Sequence, residues 1–142
     1  MRDGSGIRIS LVSSWNEKEI LELYRTAGWW KEEYDPAEIS RIIEGSFGFA
    51  VAIDTTSGRA IGMGRVIADG ISDAYLQDLI TDPRFRGRGI GKSIVSVLVA
   101  HCKKAGITWI GLIAEPGSEE FYLPLGFERM EGHVPMIYRG GH

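Results

Sequence analysis

The 142-residue sequence predicts an α+β fold in which a mixed sheet carries helices on both faces. Three observations lead there. Strand-like and helix-like runs follow one another in the order β-α-α-β-β-β-α-β-α-β, which is neither an internal repeat nor a regular βαβ series. Two strand-like runs, 47–53 and 60–68, are joined by Asp54-Thr55-Thr56-Ser57-Gly58, a hairpin turn by composition. A further strand-like run, 74–81, passes through a glycine-rich turn directly into a long amphipathic run, 94–105.

Each element has a local reason. Residues 7–12 alternate apolar and polar and read as an edge or first strand. Asn16 is an N-cap residue by type, and Ile20, Leu21, Leu23, Tyr24 and Ala27 then recur at helical spacing until Gly28. Asp35-Pro36 gives a second helix start, with Ile39, Ile42 and Ile43 as its inward stripe and Gly45 as its stop. After the hairpin, a turn at Asp69-Gly70 leads into the strand 74–81. Ile94, Val97, Leu98 and His101 repeat at three to four residues, so a helix runs to Lys104 with Gly106 as its stop. The continuous apolar run 107–114 reads as a central strand, 118–125 as a short helix begun by Ser118, and 136–138 as a last strand.

Length predicts one domain over 1–142, large enough for a single two-layer core. A net charge of −3, with its one dense basic cluster confined to the glycine-rich turn, argues against a nucleic-acid partner. The lone Cys102 excludes an internal disulfide and a cysteine-rich metal site, and at its helical position it reads as a packing residue. With no run of eighteen apolar residues and no apolar signal segment after Met1, a cytoplasmic chain without membrane or metal partners is expected.

The most informative stretch is Arg86-Gly87-Arg88-Gly89-Ile90-Gly91-Lys92. Strand, glycine-rich turn and helix together aim free backbone N–H groups and a helix's positive end at an anion. Arg84, Arg86, Arg88 and Lys92 add cations suited to phosphate oxygens. Gly91-Lys92-Ser93 mimics the end of the pattern G-x-x-x-x-G-K-[ST], but that pattern needs glycine where Arg86 stands and places its loop after the first strand. The dinucleotide pattern G-x-G-x-x-G fails as well, since its third glycine falls on Lys92.

Arg86-x-x-Gly89-x-Gly91, preceded by Asp82-Pro83 at the end of a strand, resembles the [QR]-x-x-G-x-[GA] motif of the GNAT acetyltransferases. Leu76-Gln77-Asp78-Leu79-Ile80-Thr81 is similar to that family's fourth strand, and Phe121-Tyr122-Leu123-Pro124-Leu125-Gly126-Phe127 to its F-Y-x-x-x-G-F motif. The resemblance extends from Ile7 to Tyr138. It implies a GNAT fold with a mixed sheet of six to seven strands, the fourth and fifth splaying apart to admit acetyl-coenzyme A. It also implies an N-acetyltransferase acting on a primary amine of a small molecule or peptide, in a family that often dimerises through its C-terminal strands.

On that resemblance the pyrophosphate rests on Arg86, Gly87, Arg88, Gly89, Ile90, Gly91 and Lys92, and the pantetheine arm pairs with Leu79, Ile80 and Thr81. Phe121 adds apolar wall, and the Tyr122 hydroxyl faces the sulfur, where a neutral phenol can protonate a departing thiolate. Some relatives carry glutamate at the positions of Tyr75 or Gln77; this chain does not. By strand alternation Tyr75, Gln77 and Leu79 share one face and Asp78 the other. Gln77 can only orient a water or the acceptor; Asp78 is the nearest ionisable residue, read equally as a base or as a hold on a neighbouring backbone group or arginine; and Asp69, Asp73, Glu115 and His133 lie further out. A water chain is the alternative to a side-chain base. Acceptor recognition falls to the helix-to-helix link with Trp29 and Trp30, to Tyr75, and to the last hairpin. Gly28-Trp29, the run Ile61-Gly62-Met63-Gly64-Arg65 and Asp69 also resemble the plastid serotonin N-acetyltransferase branch. Two other functions remain open at this point: a non-catalytic acyl-coenzyme A binding or sensing module, and a nucleotide-binding protein.

Overall fold

The structure, a computed structural model, describes residues 6–140. Its contacts gather into two compact units, Met1–Leu112 and Ile113–His142, each described by itself below.

In the first unit the order is β1 (Ile7–Leu11), α1 (Glu17–Ala27), α2 (Glu38–Gly45), β2 (Gly48–Asp54), β3 (Arg59–Ala68), β4 (Asp73–Thr81), α3 (Ile90–Lys104) and β5 (Trp109–Leu112). The five strands lie side by side in sequence order, antiparallel from β1 to β4, with β5 parallel to β4. The sheet is therefore mixed, and among the described residues five strands replace the six to seven expected.

Asn16 caps α1 by accepting from the Glu19 amide at 3.1 Å, and Gly28 ends it in the left-handed conformation. The Glu19 carboxylate then accepts from Trp15 Nε1 at 2.9 Å and from the Ala60 amide at 2.8 Å, which pins α1 to the start of β3. The α2 start differs from expectation. Asp35 and Pro36 make i→i+3 bonds to Glu38 and Ile39, so a tight turn comes first and Ala37 is the cap position.

The two faces of the sheet are built differently. Phe49, Val51, Ile53 and Met63 join Ile20, Leu23 and Tyr24 of α1 and Ile39 and Ile43 of α2 in one apolar core. Toward α3 the sheet offers small residues. A Cβ on Gly64 would stand 2.8 Å from Ile94 and one on Gly48 2.9 Å from His101, so these glycines let α3 approach. Ile94 and Leu98 are fully buried there, each contributing about 2 kcal/mol through its apolar area.

In the second unit a four-residue helix α4 (Glu119–Tyr122) gives way to a 3-10 turn, Leu123–Leu125. The expected helix 118–125 is cut short because Pro124 supplies no N–H and restricts the residue before it. The expected strand at 136–138 does not form. Pro135 precedes it without a donor, and Met136, Ile137 and Tyr138 are exposed. Among the described residues no helix is long and apolar enough to cross a membrane.

Candidate active site

The site grows from an irregularity in β4. Met63 of β3 faces Ile80, yet Arg65, two residues on, faces Gln77, three residues back along β4. One extra residue is therefore inserted in β4 opposite Gly64, and Asp78 there adopts φ 57°, the one positive φ of a non-glycine among the described residues.

This bulge overturns the alternation read from the sequence. Asp78 shares the α1 face with Gln77: its Oδ2 accepts from Tyr24 Oη at 2.8 Å and from Arg65 Nε at 2.6 Å, and Gln77 lies opposite Arg65. Leu79 lies on the α3 face instead, its side chain beside Ile94 and Leu98 around Gly64. Ile80 returns to the α1 and α2 core. A single added residue shifts every later side chain to the opposite face, and simple alternation cannot anticipate it.

The bulge also lies just beyond the end of the β4–β5 ladder. That ladder runs from Asp73–Trp109 to Leu76–Leu112 and ends there, while β4 continues to Thr81. Beyond Leu76, β4 is paired through β3 on one side, and Leu79, Ile80 and Thr81 lie on a stretch that β5 does not reach. Backbone donors and acceptors at such an edge can add an extended ligand as a further strand.

At the end of β4, Asp82 caps a 3-10 turn, Pro83–Phe85, by accepting from the Arg84 amide at 2.9 Å. The Arg84 guanidinium returns to the same carboxylate at 2.8 Å, holding the Asp82 carboxyl below the usual carboxylate range. Arg84 is thus engaged locally, whereas Arg86, Arg88 and Lys92 are exposed. The Arg88 guanidinium lies 5.2 Å over the Phe85 ring. Gly87 and Gly89 both have positive φ, at 83° and 76°, and a Cβ on either would meet open space. The glycines are there for backbone direction, not for clearance.

Gly89 is the N-cap of α3 and offers no side-chain cap, and the first backbone bond into the helix runs from Ser93 N to Gly89 O at 3.1 Å. The N–H groups of Ile90, Gly91 and Lys92 precede that bond and lack helical acceptors, at the positive end of a fifteen-residue helix. A diphosphate fits this donor set: N–H groups, a helix's positive end and three exposed cations lie in one short stretch, with no carboxylate in 86–92.

On the α1 face, Tyr24 contacts Trp29 and Trp30 with ring centroids 6.4 and 6.5 Å apart, and Trp30 meets Tyr34 edge-on at 5.3 Å. Both tryptophans are half-buried against the core, so each serves packing and still presents surface. Tyr75 is 44% exposed and packs against Trp109 with ring centroids 5.1 Å apart and planes inclined at 58°. The Trp109 indole lies over Gly111, where a Cβ would come within 2.4 Å of it.

In the second unit the half-buried Tyr122 packs edge-on between Phe121, at 4.9 Å, and Phe127, at 5.8 Å. Burial, and then the negative charge of Glu115, raise its hydroxyl above the ordinary phenol range, so it is a proton donor at neutral pH. His133 Nδ1 donates within its own turn to Glu131 O at 3.0 Å.

The reading of Asp78 as a hold on an arginine is met by Arg65, which the sequence did not single out for that role; Tyr24 as its second partner, and Trp109 as the partner of Tyr75, were missed. One signal was present: Arg65 is a charge at an inward position of the otherwise buried run from Ala60 to Val66.

Comparison with known proteins agrees with this geometry. An uncharacterized N-acetyltransferase of Porphyra purpurea is 28% identical over 121 residues, 85% of this chain and 70% of that protein. A chloroplastic serotonin N-acetyltransferase of Oryza sativa subsp. japonica is 34% identical over 73 residues, 51% of this chain and 36% of that enzyme. A solved GNAT-family acetyltransferase of Streptococcus pneumoniae superposes with a TM-score of 0.79 at 25% identity, covering 96% of this chain and 99% of that one. Residues 13–136 match the family model of the GNAT acetyltransferase domain, and the chain belongs to that family of acetyltransferases.

Proposed function

We propose that this chain transfers the acetyl group of acetyl-coenzyme A to a primary amine of a small molecule or peptide, with both substrates bound together. The observation that carries the reading is the continuity of three features: the β4 bulge, the stretch of β4 beyond the β5 ladder, and the uncapped N-terminus of α3.

The donor supplies an activated thioester. The residues then divide the work. N–H groups of the loop and of the first turn of α3, with Arg86, Arg88 and Lys92, hold the diphosphate. Leu79, Ile80 and Thr81 offer backbone pairing to the amide-containing arm, and N–H groups near Leu79 or Ile80 are the donors for charge developing on the carbonyl oxygen. Tyr122 is the acid that returns a proton to the leaving sulfur, a role supported by the burial that keeps its hydroxyl protonated. Trp29, Trp30 and Tyr75 give the acceptor an aromatic surface suited to an amine with an apolar body.

The amine must lose a proton before it attacks. Gln77 cannot take it, and Oδ2 of Asp78 is already shared by Tyr24 and Arg65. Water is therefore the proton acceptor we favour, with Gln77 orienting it; juxtaposition of the two substrates supplies much of the rate.

The missing glutamate at Tyr75 and Gln77 favours a second reading, a non-catalytic acyl-coenzyme A sensor. A nucleotide-binding P-loop is ruled out by the fold, since the loop follows the fourth strand of a largely antiparallel sheet. Thiol release from acetyl-coenzyme A across an amine panel separates enzyme from sensor: amine-dependent release supports the first, and tight coenzyme binding without release supports the second.

A further inference from the structure

An aspartate held at φ 57° inside a strand carries backbone strain and persists only where its surroundings fix it. What fixes Asp78 comes from two other elements, one of them braced in turn by a third segment. Tyr24 of α1 donates its hydroxyl and Arg65 of β3 its Nε to the same carboxylate oxygen. Arg65 Nη1 also reaches Ser46 Oγ at 3.4 Å, just after α2. The Arg65 and Asp78 side chains are only 18% and 21% exposed, so water competes poorly for the pair. Tyr24, buried in the α1 core, is the same ring that carries Trp29 and Trp30.

We propose that Tyr24 and Arg65 are positioning residues for acetyl transfer, holding through Asp78 the β4 bulge that sets the direction of Leu79, Ile80 and Thr81. The inference rests on the acetyl-transfer reading above. Removing the extra residue from the register would exchange the faces of Leu79 and Ile80 and rotate the backbone groups between them. A bulge that is merely loosened displaces those groups by a fraction of that, and displacements near 1 Å lower a rate by up to ~10²-fold. The aromatic link also ties the acceptor side to the bulge, since Tyr24 belongs to both.

The test uses the full chain with Tyr24→Phe, Asp78→Asn and Asp78→Ala. Phenylalanine removes only the hydroxyl. Asparagine keeps an acceptor oxygen and tolerates positive φ, and alanine does neither. The expected result is a kcat lowered ~10-fold in Tyr24→Phe, with the KM for the amine changed less than ~2-fold. In the ligand-free protein, amide hydrogen exchange should quicken across 77–81 and stay unchanged in β2. Asp78→Asn should retain most of the rate that Asp78→Ala loses. Wild-type kcat and wild-type exchange in Tyr24→Phe would overturn the proposal, as would an Asp78→Asn enzyme as impaired as Asp78→Ala. A wild-type protein that releases no thiol with any amine overturns the transfer reading and the positioning role together. Wild-type turnover with an unaffected Tyr24→Phe overturns the positioning role alone.

Discussion

Leu76 and Leu112 form the last pair of the β4–β5 ladder, two residues before Asp78 enters the left-handed region. The coincidence has a physical basis. A bulge bends its strand and increases local twist, which works against extending the β5 ladder past it, while a register shift keeps β4 paired with β3. The end of the β4–β5 ladder thus lies beside the residue that the α1 face holds in place.

The loop that follows should bind coenzyme A through charge as well as through backbone donors. Arg88 and Lys92 are exposed, so Arg88→Glu and Lys92→Glu should leave the melting temperature within a degree or so. Coenzyme A affinity by calorimetry should fall ~10-fold in each, and wild-type affinity should weaken with added salt. Unchanged affinity in both variants would remove the loop from the binding site.

Tyr122→Phe should lower turnover by ~10²-fold, within the range for a positioned acid, with little change in coenzyme A affinity. The hydroxyl's raised pKa means it stays protonated through neutral and mildly alkaline pH, so the loss should be similar across that range. Steady-state kinetics with calorimetry on the same variant checks it, and wild-type turnover would show the ring to be structural.

Much of the fold was legible because local signals agreed with their context. Asn16, Gly28, the Asp54 to Gly58 turn and the run into α3 each carry a residue type whose backbone preference is the one used. The loop at 86–92 was legible for the same reason. The faces of β4 were not. Alternation assumes one side chain per step, and Asp78 breaks it by a tertiary bond to Tyr24, fifty-four residues away in the sequence. Nor did the apolar character of 136–138 produce a strand, since Pro135 withholds a ladder donor and periodicity over three residues is too short to specify pairing.

The pH dependence of turnover should follow the acceptor. If water receives the proton, the acidic limb of kcat/KM should move with the pKa of the amine used, by comparison of two amines of different basicity. A limb that stays fixed when the amine is changed would assign the proton to an enzyme group instead.

Asp69 gives a stability prediction. Its carboxylate accepts from the amides of Ile71 and Ser72, both at 2.8 Å, and from the Ser72 hydroxyl, and these bonds hold it well below the usual carboxylate range. A folded-state pKa that is depressed gives stability present above the ordinary value of about 3.9 and lost as pH falls toward the folded value. Asp69→Asn keeps an acceptor but cannot titrate. Its deficit in urea midpoint relative to wild type should therefore be largest near neutral pH and shrink below about pH 4. A pH-independent gap would show that the charge contributes nothing to the turn.

The central claim is that the bulged strand and the helix-capped loop serve acyl transfer to an amine. The most direct measurement is coenzyme A thiol release from acetyl-coenzyme A, with and without a panel of aliphatic and aromatic primary amines, paired with mass analysis of the amine. The account predicts release that depends on the amine and a product heavier by one acetyl group. Tight binding of acetyl-coenzyme A with no amine-dependent release and no acetylated product would contradict it.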